Sequence, residues 1–142
     1  MAHPEFDALL NALLPFAQKM LEEHGAFLPF AASLAGDDSI EMVAGAAGGE
    51  APGSRELIDR LSEGLRERAR DGCLRAAGLC YHAQFTPEGE VLPMNAICAS
   101  LDRAAGEPLN VLVPYDTSHP GAPRYGDLIC VPGTIRLFPY DA

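Results

Sequence analysis

The sequence predicts an α+β fold: one domain over residues 1–142, elements in the order αββαβββ, an antiparallel sheet with two helices packed on one face, and a C-terminal edge hairpin or arm. Three observations lead there. Two stretches, 4–24 and 54–70, carry apolar residues at spacings of three and four, the period of a helix with one buried stripe. Three runs, Leu74–Phe85, Asn95–Leu101 and Leu109–Tyr115, alternate in the two-residue period of a strand. The connections between these runs are too short for the crossover that parallel neighbours need, so the runs form an antiparallel meander.

In the first helix Phe6, Leu9, Leu10, Leu13, Ala17, Met20 and Leu21 share a face. Pro4 suits the first helical position, and Gly25 offers a stop. Pro15 removes the hydrogen bond to Asn11 and is expected to kink or split the helix, bending it over a curved sheet. His24 stands at the C-terminal end, where a protonated ring interacts favourably with the helix dipole. A hairpin follows, with strands Ala26–Leu34 and Ile40–Ala44 around Gly36-Asp37-Asp38-Ser39. Pro29 cannot donate to a ladder, which pushes the first of these strands towards an edge or a bulge. Asp37 and Asp38 lack the further oxygen ligands of a calcium loop and read as turn residues. The Gly/Ala/Pro-rich segment Gly45–Ser54 is a linker; it has neither glycine-loop pattern of a phosphate site. Ser54 caps the second helix, whose stripe is Leu57, Ile58, Leu61 and Leu65. Beyond the meander, Asp127–Val131 and Thr134–Phe138 read as short strands around Pro132-Gly133.

Composition narrows the function. Hydrophobic content of 48% with 21% charged residues is that of a globular chain, and a net charge of −10 disfavours nucleic-acid binding, which needs clustered cations. An acidic surface permits a basic protein partner. No run approaches the ~20 apolar residues of a membrane helix, and the N-terminus lacks the basic region of a secretory signal. A cytoplasmic location is expected. The cysteines Cys73, Cys80, Cys98 and Cys130 form no CxxC pair and are expected to be reduced.

One constellation has chemical potential. If opposed residues in the first two central strands sum to about 180 (a rough centring on the intervening turn), His82 faces Cys98 and Cys80 faces Ser100. With Leu112 on the next strand, these residues would share the less apolar face of the sheet. A thiol nucleophile would need a depressed pKa and an oxyanion donor; a zinc site would draw Cys80, His82 and Cys98 from flat strands instead of the usual knuckles. A packed face of small residues is the plainer reading. With both helices on the Leu79/Tyr81/Ile97/Val111 side, that face has no lid, and a homodimer or a small-molecule pocket would cover it. Cys80, His82, Cys98, Ser100 and Leu112 are therefore candidate interface or ligand residues; no catalytic residue, metal or cofactor is assigned.

The stretches FLPFAASLAGDDSI at 27–40 and NAICASLDRAAGEPLNVLVPYD at 95–116 resemble small bacterial α+β proteins of unknown function, over residues 5–116. That resemblance implies the fold and transfers no activity. A profilin- or roadblock-like arrangement has a similar element order, an analogy of fold alone. The expected function is a non-enzymatic interaction or regulatory module, homodimeric and acidic, of which an immunity-type protein neutralising a basic toxin is one form. The alternative is a small ligand-binding protein, or a thiol or metal enzyme using the Cys80/His82/Cys98 face.

Overall fold

The structure is a computed structural model that describes residues 4–25, 27–44, 54–72, 74–86, 89, 91–103, 108–116, 124–133, 135 and 137–138. The expected α+β class and antiparallel sheet are present. Helix α1 (Pro4–His24) leads into β1 (Phe30–Ala35) and β2 (Ile40–Ala44). Helix α2 (Ser54–Arg70) precedes β3 (Leu74–Phe85), β4 (Met94–Arg103) and β5 (Leu109–Asp116), and two short strands, β6 (Arg124–Tyr125) and β7 (Ile129–Pro132), finish the sheet. The strand order is β2-β1-β3-β4-β5, with β6 and β7 both on the outer side of β5, and every pair is antiparallel.

α1 buries Phe6, Leu9, Leu13, Ala17 and Leu21, the stripe that its spacing predicts. It runs through Pro15 as one element instead of splitting. Pro15 is exposed, so the missing backbone bond lies towards solvent, where it costs least. Gly25 ends the helix at φ 74° and donates its N–H to the Leu21 carbonyl at 2.9 Å. The β1–β2 turn uses Asp38 at φ 70°, while Asp37 Oδ1 accepts the Ser39 N–H at 3.0 Å and its hydroxyl at 2.6 Å. These bonds hold the Asp37 carboxyl below its ordinary pKa, the hydroxyl bond most. Pro29 precedes β1 instead of lying in it, so β1 pairs on both sides and the edge passes to β2. The irregularity lies between Leu34 and Ala35, at the other end of β1.

The expectation that both helices share one face is corrected. α1 packs with Phe30, Ala32, Leu34, Ala76, Cys80, Ile97, Ala99, Leu101, Val111 and Val113. The α2 residues Leu61, Leu65 and Ala69 pack with Ala31, Ala77 and Leu79, whose side chains leave the opposite face. Small residues on β3 signal close approach of a helix here. A Cβ at Gly78 would stand 3.0 Å from Leu13 and 2.7 Å from Leu101. The run Ala76, Gly78, Cys80 is therefore the seat of α1 and not an open surface.

The chain end forms an arm. Gly126 donates to the Pro114 carbonyl at 2.8 Å, and three residues (126–128) separate β6 from β7 where β5 has two, a one-residue bulge. Gly133 then bonds the Pro108 carbonyl at 2.9 Å, and the chain crosses to the α2 face, where Leu137 and Phe138 are buried. The expected strands around Pro132-Gly133 do not pair with each other: the first becomes β7 on β5, and Leu137 and Phe138 lie outside any strand. Thr134 and Arg136, which the second strand would include, lie outside the described residues, as does the linker from Gly45 to Gly53.

Candidate functional site

Register decides what happens to the residues singled out from the sequence. Tyr81 lies opposite Cys98, Cys80 opposite Ala99, His82 opposite Ile97 and Leu79 opposite Ser100. Opposed numbers sum to 179, one less than the centring estimate, and one residue of slip moves a whole set of side chains to the other face. Cys80 and His82 therefore project to the α1 face, whereas Cys98, Ser100 and Leu112 project to the α2 face. The cluster Cys80/His82/Cys98 is not assembled.

Each half has ordinary partners. Cys80 is fully buried beneath α1. His82 is exposed; its Nε2 lies 3.0 Å from Asn95 Oδ1, which also accepts from Gln84 Nε2 at 3.2 Å, and its ring meets Tyr115 edge-on at 6.2 Å. On the α2 face the Tyr81 hydroxyl and Ser100 Oγ are 2.8 Å apart, and Cys98 Sγ is 3.9 Å from that Oγ. Leu112 is half-buried, opposite Cys98 on one side and the exposed Ile129 on the other. Burial pushes the Cys80 thiol far up and the Cys98 thiol up as well, the latter partly offset by bonds to Tyr81 and Ser100. Burial also pushes the Tyr81 phenol up to about 12. Protonated thiols are poor nucleophiles and poor ligands, so this arrangement packs and hydrogen-bonds. Among the described residues no group of three His, Cys, Asp or Glu side chains is placed to hold a metal ion.

The surface that stands out is the β2 edge. Among the described residues β2 pairs with β1 alone, so its other side offers unpaired N–H and C=O groups. Its residues Ile40-Glu41-Met42-Val43-Ala44 contain no proline, lysine or bulge, the devices that usually blunt an edge. Ile40 is 38% exposed and Met42 42%, both on the α1 face. Val43 and Glu41 take the α2 face and border a groove of about 400 Å³ lined also by Arg60, Leu61, Gly64, Leu65 and Arg68. Arg68 Nη1 donates to Ser33 Oγ and to Glu41 Oε1, both at 3.3 Å, and Arg60 is held by Glu56 at 2.8 Å. The edge is thus a strand with an apolar row on one side and a charged-rimmed, apolar-floored groove on the other.

None of these edge residues is distinguishable as a site in the sequence, because a strand of five apolar and acidic residues does not say which of its neighbours will be missing. The absence of lysine and proline in the second hairpin strand is the one available signal. Comparison of the chain with protein-family models, with curated proteins and with solved structures finds no match.

Proposed function

We propose that the protein is a non-enzymatic interaction module that works as a homodimer through its open sheet edge. The observation that supports this reading most is the asymmetry of the two edges. The β5 side is covered by β6 and β7, broken by a bulge and ended by Pro132, whereas among the described residues β2 pairs on one side only and turns the backbone groups of Ile40, Met42 and Ala44 outward. An open edge accepts an extended segment: main-chain bonds supply affinity, and alternate side-chain contacts supply selectivity. A second copy is the economical occupant, because a two-fold contact lets one patch complete itself. The contact thus moves from the sheet face that the sequence suggests to the sheet edge.

The net charge of −10 supports a protein partner over a nucleic acid, and any further partner recruited by the acidic surface would be basic. The free thiols of Cys80, Cys98 and Cys130 fit a reducing, cytoplasmic location. No helix among the described residues is long and apolar enough to cross a membrane. Native mass spectrometry of the purified chain tests the reading. Twice the chain mass of 15.1 kDa, with nothing added, is expected. A monomer at micromolar concentration, or a monomer carrying a metal ion or small molecule, would overturn it.

A further inference from the structure

We propose that two copies join by antiparallel pairing of β2 with β2 about a two-fold axis through Met42, so that one sheet runs across both subunits. This rests on the homodimeric reading above and adds to it the register and the side-chain contacts.

Backbone parity comes first. The Ala35 N–H donates to the Ser39 carbonyl at 2.9 Å, which makes that opposed pair a hydrogen-bonded one. Bonded and non-bonded pairs alternate along an antiparallel ladder. Ser33/Glu41 and Ala31/Val43 are then the bonded pairs of β1 with β2, and the N–H and C=O groups of Ile40, Met42 and Ala44 point to the open side.

Face parity comes next. In a sheet continued by a two-fold axis, the α1 faces of both subunits coincide, and opposed residues must share a face. The axis therefore passes through a residue and not between two. Centring on Glu41 sets two carboxylates against each other and leaves two bonded pairs within the strands, about four hydrogen bonds. Centring on Val43 also leaves about four. Centring on Met42 gives three bonded pairs, Met42 with itself and Ile40 with Ala44 twice, about six hydrogen bonds. It also keeps the two Glu41 side chains apart.

The side chains agree with that register. On the α1 face Met42 meets its own copy. Ile40 of the partner subunit comes opposite Ala44, the position paired with Phe30 of β1. There Phe16, 42% exposed, meets Phe30 edge-on at 4.8 Å, giving an apolar surface for that isoleucine. On the α2 face Glu41 of the partner subunit comes opposite Val43, which lines the same groove as Arg60. The partner's acid thus enters a groove with an arginine on its rim, while each Glu41 keeps its own Arg68 at 3.3 Å.

A cysteine at the axis reads the register directly. Bonded antiparallel partners lie about 5.5 Å apart at Cα with Cβ atoms wider than the ~3.8 Å of a disulfide, a gap that a short bifunctional thiol reagent spans. In a Cys130→Ser background, Met42→Cys is expected to give a covalent dimer with a short bis-methanethiosulfonate reagent, with peptide mapping placing the link at position 42 in both chains. Ile40→Cys is expected to give none. Met42→Lys, which opposes two ammonium groups on the axis, is expected to raise the dimer dissociation constant about tenfold or more while circular dichroism stays that of the parent. If native mass shows a dimer but Met42→Cys fails to link, or Met42→Lys dimerises normally, the register falls and the homodimeric reading stands. If the parent chain is a monomer, both fall.

Discussion

Gly78 carries more structural information than any larger residue of β3. Its Cα hydrogen faces Leu13 and Leu101 with no room for a methyl group, so the sheet and α1 meet at the distance that glycine permits. Gly78→Ala is expected to cost roughly 1–3 kcal/mol, the usual penalty for overpacking, read as a lower urea midpoint. Asp102 is the second informative residue. It is completely buried, and its Oδ2 accepts the N–H groups of Leu137 at 2.8 Å and Phe138 at 3.1 Å, while Oδ1 accepts that of Arg103 at 2.9 Å. Asp102→Ala would leave buried donors without this acceptor, at a cost of about 1–3 kcal/mol. Faster hydrogen exchange at the Leu137 and Phe138 amides is the measurement that assigns the loss to the tail. The buried acids of β3 and β4 add a pH dependence. The Cys80 and Cys98 thiols are raised above their ordinary 9.0 and the Tyr81 phenol above 10.0, all chiefly by burial. The folded chain keeps protons that the unfolded chain releases. Stability is therefore fully present below pH 9 and falls as pH rises from there, and urea midpoints measured from pH 7 to pH 11 are expected to fall only above the ordinary thiol value.

Among the elements, the C-terminal arm shows how a segment without regular structure is secured. Gly133 approaches the β5 strand so closely that a Cβ would lie 2.7 Å from the Leu109 nitrogen, and it passes the chain to the buried pair Leu137 and Phe138. Deleting residues 133–142 would remove two buried side chains, each contributing about 1.5–3 kcal/mol, and would strip Asp102 of two donors. A loss of several kcal/mol of unfolding free energy is expected, with retained far-ultraviolet dichroism because both helices and the five long strands remain. At the start of the chain, Arg75 bonds Asp38 and lies 3.9 Å from Glu5, and Arg103 lies 3.8 Å from the same Glu5. These contacts join the α1 N-terminus to the hairpin turn and to two strands. They are partly exposed, so their contribution is small.

For the whole molecule, net charge opposes the proposed association. Two chains of net charge −10 repel, and that repulsion is long-ranged at low salt, where the Debye length is about 30 Å at 0.01 M and about 8 Å at physiological strength. The proposed β2 contact is short-ranged and mostly backbone and apolar. The proposed dimer is therefore expected to tighten as sodium chloride rises from 10 to 150 mM (about the range over which those lengths apply), as measured by sedimentation. Weakening over that range would mean that attraction between Arg60 and the partner's Glu41 outweighs the net repulsion.

Much of the fold was legible in the chain because it is written locally. Pro4, Gly25 and the stripe from Phe6 to Leu21 delimit α1. Ser54 and the Leu57–Leu65 spacing place α2, and two-residue alternation locates β3 to β5 to within a few residues. The candidate site was not legible in the same way. Alternation states that a strand has two faces without stating which helix covers each, and small residues such as Gly78 and Cys80 read equally as an open face or as the seat of a helix. Closeness to α1 is the actual cause of their size. The register of β3 against β4 differs by one from the centring of the turn, which separates Cys80 and His82 from Cys98 and Ser100. Local chemistry thus determined where helices, strands and turns begin and end, since dihedral preference and hydrophobic period act within a few residues. Only the tertiary structure decided which faces are covered, which thiols are apart and which strand is left at the edge, because those depend on contacts between segments far apart in the chain.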